Sequence, residues 1–246
     1  MNEIRISSPD GAAATISLFG AHLMSWKTAD GKERLFLSQR SALDGSAAVR
    51  GGVPVIFPQF ATRGDGLRHG FARTATWRAV GQGDSWAELA LAQSDLPAAT
   101  FKTWPRAFEL RLRFELKGNT LALRYIVRNS GMQDFQWAGA LHTYFAVADF
   151  AQATLDGARF DGALDEIRPA TPVLRLDTGA GTLQLEQQGF SEWVVWNPGA
   201  EGAAATADMD DGDFRRFVCI EPARVDKQVL AAGAEWTGHH TISLIP

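Results

Sequence analysis

Residues 108–129 constrain the fold of this chain more than any other stretch. Phe108, Leu110, Leu112, Phe114 and Leu116 alternate with Glu109, Arg111, Arg113, Glu115 and Lys117. Side chains on a strand point to opposite faces in turn, so this period of two describes a strand with one buried and one wet face. Gly118 and Asn119 supply turn chemistry, and Leu121, Leu123, Tyr125 and Val127 carry the alternation back. The segment reads as an antiparallel hairpin. Segments 75–80 and 85–92 flank residues 81–84 in the same way, and further strands are expected at 14–19, 21–27, 34–38, 136–146, 182–188, 192–196, 216–221 and 240–245. No capped helix of 12 or more residues is evident; short helical turns are expected near 95–103 and 208–215, and a surface loop at 199–207. Many strands, Gly/Asp/Asn turns and no βαβ rhythm point to an all-β antiparallel fold, a sandwich or barrel. No solenoid repeat and no Pro- or Ser-rich linker interrupts the chain, so residues 1–246 are expected to form one domain.

Composition narrows the class. Hydrophobic residues make up 46% of the 246, enough to bury a substantial core. A net charge of −4 with no dense Lys/Arg run argues against nucleic acid as the main partner. Cys219 is the single cysteine, which excludes an intrachain disulfide and fits a reducing compartment. No run of about 18 apolar residues is present, so no membrane span is expected. The N-terminal MNEIRISSPD has no apolar signal core. A cytoplasmic, monomeric protein is expected.

Residues 50–73, RGGVPVIFPQFATRGDGLRHGFAR, concentrate positive charge: Arg50, Arg63, Arg68 and Arg73, with His69, stand against one acid, Asp65. Guanidinium forks match phosphate oxygens two at a time. Gly51 and Gly52 permit positive φ and a close backbone approach to a ligand. Arg68 and Arg73 should lower the pKa of His69, favouring a neutral imidazole able to hydrogen-bond a sugar hydroxyl.

His142 lies in GALHTYFAV. On a strand it shares a face with Tyr144, as a core histidine bonded to a carbonyl or as a proton donor. Glu221 lies in RRFVCIEPARV, where Cys219 and Glu221 face away from Val218 and Ile220. It is either a surface glutamate at a strand end beside Pro222 or a desolvated base, since burial raises a carboxyl pKa. Cys219 reads as a buried thiol. Asp208, Asp210, Asp211 and Asp213 do not make an EF-hand: counted from Asp208, position six is Asp213 rather than Gly and position twelve is Cys219 rather than Glu. They read as a solvated acidic loop. His239 and His240 are adjacent and would face opposite ways on a strand. With no zinc spacing, P-loop or G-x-G-x-x-G, neither metal nor cofactor is expected.

Five motifs in order, RGGVPVIFPQF, HGFAR, ALHTYF, VVWNPG and ADMDDGDFRRFVCIEPA, together resemble the hexose-6-phosphate mutarotases, or glucose-6-phosphate 1-epimerases, of the aldose 1-epimerase superfamily. The resemblance runs from about Gly20 to Ala223. It implies a large antiparallel β-sandwich of the galactose-mutarotase-like kind, often called a supersandwich. It implies His142 as general acid and Glu221 as general base, with Arg50 and Arg73 meeting the phosphate or lining the sugar pocket and His69 beside them. Asp208 becomes a candidate for a sugar or arginine contact. The chain departs from the pattern at Gln59, where many members have Trp, and at Arg68, where many have Pro. Residues 161–194 look short; the sugar-binding aspartate expected there is Asp165, Asp177 or absent. The implied activity is cofactor-free interconversion of the α and β anomers of a hexose 6-phosphate, glucose 6-phosphate first. The alternatives are an aldose 1-epimerase on free sugars and a non-catalytic sugar-phosphate-binding protein.

Overall fold

The alternating segments pair as their periodicity requires. The computed structural model describes residues 2–246 and contains eighteen strands and two short α-helices. In chain order the first strands are β1 (Glu3–Ser7), β2 (Ala13–Ser17), β3 (His22–Lys27), β4 (Val55–Ile56), β5 (Arg78–Gln82) and β6 (Trp86–Ala92). Helix α1 (Ala98–Thr103) precedes β7 (Phe108–Lys117), β8 (Thr120–Asn129), β9 (Phe135–Leu141), β10 (Tyr144–Ala146), β11 (Thr154–Leu155) and β12 (Ala158–Arg159). Then come β13 (Leu164–Pro169), β14 (Val173–Asp177), β15 (Thr182–Gln188), β16 (Glu192–Asn197), helix α2 (Gly199–Ala204), β17 (Phe217–Leu230) and β18 (Glu235–Ile245).

The strands form three antiparallel sheets. A nine-stranded sheet runs β12-β11-β14-β15-β18-β8-β7-β6-β5, and a six-stranded sheet runs β13-β16-β17-β9-β4 with β10 also paired to β17. Strands β1, β2 and β3 make a small third sheet. The hairpin of β7 and β8 keeps an unbroken register from Phe108↔Asn129 to Lys117↔Thr120. Its apolar positions meet Leu183, Leu185 and Ile242 of the large sheet and Phe135, Trp137, Val218 and Ile220 of the six-stranded sheet in one continuous core. The core therefore lies between the two large sheets, as in a β-sandwich. None of the described residues forms a helix long and apolar enough to cross a membrane.

Several boundaries differ from the sequence expectation, each for a physical reason. Segment 34–38 makes only isolated bridges, Leu35 to Phe145 and Leu37 to Gly51, because it changes partner from β10 to residues 50–52 within a few residues. Residues 199–207 are not all loop, since α2 occupies the first six of them. Strand β17 does not stop near Glu221 but runs on to Leu230. Pro222 cannot donate to a ladder, and it lies where none is needed. Opposite it the expected strand 136–146 is broken, with β9 ending at Leu141 and β10 starting at Tyr144. On one side of the break Tyr144 faces Cys219, and on the other Ala140 faces Ala223. Both registers extrapolate to the same point: His142 opposite Glu221.

Candidate active site

Strand β17 presents two faces to two environments. Val218 and Ile220 enter the core between the sheets, while Cys219 and Glu221 point to the other face of the six-stranded sheet. That face is covered by the segments before β4 and between α2 and β17, so the polar side chains on it are buried. Glu221 is 1% exposed and His142 7%. Their facing atoms, Oε1 and Nδ1, are 3.2 Å apart. Glu221 is therefore no surface glutamate, and Nδ1 of His142 has no carbonyl partner. Nδ1 and Glu221 Oε2 are both buried without a hydrogen bond. Unsatisfied buried polar groups of this kind call for a function or a ligand. Burial, with the charge of Asp165 behind it, holds Glu221 well above the usual carboxylate range. Burial, followed by His69, Arg50 and Arg73, holds His142 well below the usual imidazole range. Both shifts favour the neutral forms. A neutral carboxyl and a neutral imidazole hold as many protons as a carboxylate and an imidazolium, so a single proton moves the pair between acid–base assignments.

Tyr144 ties this pair to the arginines. Its ring stacks on His142 at 4.9 Å with an 8° tilt, and Trp196 meets the same imidazole edge-on at 5.9 Å. The Tyr144 hydroxyl accepts a hydrogen bond from Arg50 Nη1 at 3.0 Å. Burial, then Cys219, pushes the phenol up, so it stays neutral. The sequence placed Tyr144 on the face of His142 but gave no sign of its contact with Arg50, ninety-four residues away.

The loops that carry the arginines are fixed by backbone packing. Gly51 and Gly52 have φ of 112° and 58°, and Gly70 has 71°. A Cβ on Gly51 would strike the Phe36 carbonyl, one on Gly52 the Leu23 carbonyl, and one on Gly70 the Phe57 carbonyl. The close approach expected at the glycine pair is therefore to the protein's own backbone rather than to a ligand. His22, buried beneath the pair, donates from Nε2 to the Gly51 carbonyl at 2.8 Å.

Arg50 donates to Asp208 Oδ1 at 3.2 Å, so Asp208 makes the arginine contact rather than an independent site. Arg73 is different. Its Nη2 donates to the Arg68 carbonyl at 2.9 Å, its Nε is buried without a partner, and no carboxylate among the described residues forms an ion pair with it. Burial, with like-charge repulsion from Arg50 and Arg68, lowers its pKa. His69 sits in the left-handed region at φ 63° and accepts the Ala61 N–H on Nδ1 at 3.3 Å, which leaves the proton on Nε2. Burial first, then Arg73, Arg68 and Arg50, holds its pKa down to about 3. Its ring lies 5.4 Å from that of His142. Arg63 does not join the group: it pairs with Asp226 at 2.7 Å on the surface.

The acidic run is not simply a solvated loop. Besides the Asp208 pair, Asp213 is 2% exposed and accepts from Ser38 Oγ at 3.0 Å and from the Asp210 backbone at 3.0 Å. These bonds bind the α2–β17 connection to the segment before Arg50. Of the two aspartates left open by the sequence, Asp165 lies on β13, opposite Trp196 and close enough for its charge to reach Glu221. Asp177 ends β14 in the other large sheet and caps the Gly179 N–H. One group of side chains could hold a metal among the described residues: His142, Cys219 and Glu221, whose donor atoms lie within 4.8 Å of one another.

A β-sandwich with a buried carboxyl–imidazole pair and aromatic faces around it has the makings of a sugar-converting enzyme that works by proton exchange. The chain belongs to the aldose 1-epimerase family, whose profile matches residues 2–161. A protein from Cenchrus ciliaris named "Putative glucose-6-phosphate 1-epimerase" is 30% identical over all of this chain and 85% of its own. One of the same name from Escherichia coli K12 is 31% identical over 85% of this chain and 79% of its own. The crystal structure of a "putative mutarotase" from Salmonella typhimurium superposes with a TM-score of 0.83 at 27% identity, covering 94% of this chain and 86% of that one. The protein is thus an isomerase of the aldose epimerase and mutarotase type.

Proposed function

We propose that the protein interconverts the α and β anomers of a hexose 6-phosphate, with glucose 6-phosphate as the first candidate. The observation that carries the phosphate is Arg73, a largely desolvated guanidinium with no carboxylate partner, beside Arg50 and within electrostatic reach of His142. A phosphate dianion between the two arginines would supply the missing counter-charge through charge-assisted hydrogen bonds. The names of the relatives point to the same substrate.

Anomer exchange needs a proton removed from the anomeric hydroxyl and one delivered to the ring oxygen. The ring opens, the aldehyde rotates, and closure reverses the transfers. In this reading Glu221 is the base and His142 the acid. Burial and the arginine field leave the resting pair neutral. The phosphate would offset that field, raise the proton affinity of His142 and draw the proton from Glu221, forming the carboxylate and imidazolium that the reaction uses. In the same reading His69, with its proton on Nε2, donates to a sugar oxygen, and Asp165, whose charge reaches Glu221, accepts from a sugar hydroxyl. No nucleophile is required. NMR exchange between the anomers of glucose 6-phosphate and of glucose, in a non-phosphate buffer, tests the reading. Faster exchange of the phosphorylated sugar is expected; a preference for glucose would transfer the assignment to a free-aldose epimerase, and no exchange on either would leave a binding protein.

A further inference from the structure

Cys219 is a buried thiol that anomer exchange does not use. It is fully enclosed, two residues before Glu221 on the same face of β17. Its sulfur, an imidazole nitrogen of His142 and a carboxylate oxygen of Glu221 lie within 4.8 Å of one another. Two of the three residues bring donor atoms that have no other partner: His142 Nδ1 and Glu221 Oε2 are buried and unbonded. A tetrahedral zinc ion holds sulfur at about 2.3 Å and nitrogen or oxygen at about 2.0–2.2 Å, which sets neighbouring donors about 3.3–3.6 Å apart. The His142–Glu221 pair, at 3.2 Å, falls just short of that spacing. The sulfur must close in.

We infer that His142, Cys219 and Glu221 form a binding site for a borderline-soft divalent cation such as zinc, and that occupancy switches the enzyme off. The donor set selects the metal. A thiol and an imidazole favour zinc, cobalt or cadmium over magnesium or calcium, which prefer oxygen alone. Charge permits it. Arg50 is already paired with Asp208, and a thiolate with a carboxylate cancels a dication; the unpaired Arg73 opposes the ion and keeps the site from being permanently filled. Inhibition follows from the lone pairs. The metal takes the electrons with which Glu221 and His142 would accept protons. That last step rests on the proposed roles of the pair; metal binding itself does not.

Cobalt(II) separates the two. One equivalent added to the wild-type protein should give the near-ultraviolet charge-transfer absorption of a cobalt–thiolate bond and the visible bands of a four-coordinate ion. Cys219→Ser should abolish the thiolate band, and Glu221→Gln should weaken cobalt binding by at least about tenfold. In anomer exchange, zinc should inhibit the wild-type enzyme, a chelator should restore full turnover, and magnesium should have no effect. Cys219→Ser should retain unliganded turnover and need at least about tenfold more zinc for the same inhibition. Absence of a thiolate band, equal zinc sensitivity of the two proteins, or equal inhibition by magnesium would overturn the site. A protein with no exchange on any sugar would refute the proposed function while the cobalt spectrum still judged the metal site.

Discussion

The two large sheets obey the same alternation on their inner faces and diverge on their outer ones. On β6, β7 and β8 the outward positions carry charges that meet water and one another. Glu88 lies 3.5 Å from Arg111, 3.7 Å from Arg113 and 3.7 Å from Arg124, and Arg113 also covers the Trp86 ring at 4.0 Å. On β17 the corresponding outward positions are Cys219 and Glu221, roofed by loops. There Glu221 has an imidazole for a neighbour and no arginine in contact, and its Oε2 has no hydrogen bond at all. A carboxylate among three partly exposed arginines contributes modest stability and no chemistry. A carboxyl desolvated beside an imidazole is costly to ionise and so becomes useful near neutral pH. The difference comes from what covers the strand, not from the strand.

The largest effect that could break this contrast is at the pair. Glu221→Gln and His142→Asn should each slow anomer exchange by at least about 10², with the melting temperature held or raised. The double variant should be little worse than either single, since groups that act together are not additive. Near-normal turnover in either would remove the chemistry from this sheet.

Next come the arginines. Arg73→Met should cost roughly 10–100-fold in kcat/KM for glucose 6-phosphate, the worth of one or two charge-assisted bonds, and much less for glucose. Equal losses on both sugars would make Arg73 a structural residue. Tyr144→Phe keeps the ring against His142 and removes the hydroxyl that accepts from Arg50 and pairs with the Cys219 thiol. It should raise KM for the phosphorylated sugar by roughly 2–10-fold and leave kcat in place; a fall in kcat with KM unchanged would move the hydroxyl into the proton chemistry.

Stability should respond to acid in the window set by the buried histidines. His22 and His240 have pKa values lowered to about 4, and His69 to about 3, each first by burial. The unfolded chain takes up these protons near the ordinary histidine value, and the native state does not, so stability is full above that value and is lost as pH falls toward 4. The slope is about 1.4 kcal/mol per pH unit for each histidine. His142 adds to this, while Glu221, shifted the other way, opposes it. Urea midpoints that stay level between pH 7 and 5 would show these imidazoles to be hydrated. The smallest effect closes the comparison: Glu88→Gln should cost less than about 1 kcal/mol and leave exchange of both sugars unchanged.

Much of the sandwich was legible because strands such as β7 and β8 keep one face wet. The β7–β8 hairpin announces itself by strict alternation, and so does β15. Strand β13 escapes the reading because its residues are largely exposed and mix Pro, Arg, Asp and Glu, so no apolar period emerges; β14 alternates, but over only five residues with Leu174 and Leu176 as its buried positions. Strand β17 was cut short because a proline normally ends a ladder, and nothing local reveals that the partner strand breaks opposite it. In the site, His142 and Glu221 were found by residue type and by resemblance, but their apposition depends on that break. His22 and Tyr144 were not foreseen: each acts through a contact distant in sequence. Arg63 was grouped with the other arginines by proximity along the chain, yet its loop turns it toward Asp226.

Gly51, Gly52 and Gly70 bear on how such an enzyme can change. Each sits against a neighbouring carbonyl with no space for a methyl group, so the path of the chain through both arginine loops is closed to gradual variation. New sugar preferences must then arise by exchanging side chains on a rigid frame: Arg50, Arg73 and the groups facing them are interchangeable fittings, while the glycines are the mould. A randomised library should be spent on the former, because diversity placed on the latter is lost before selection for activity begins.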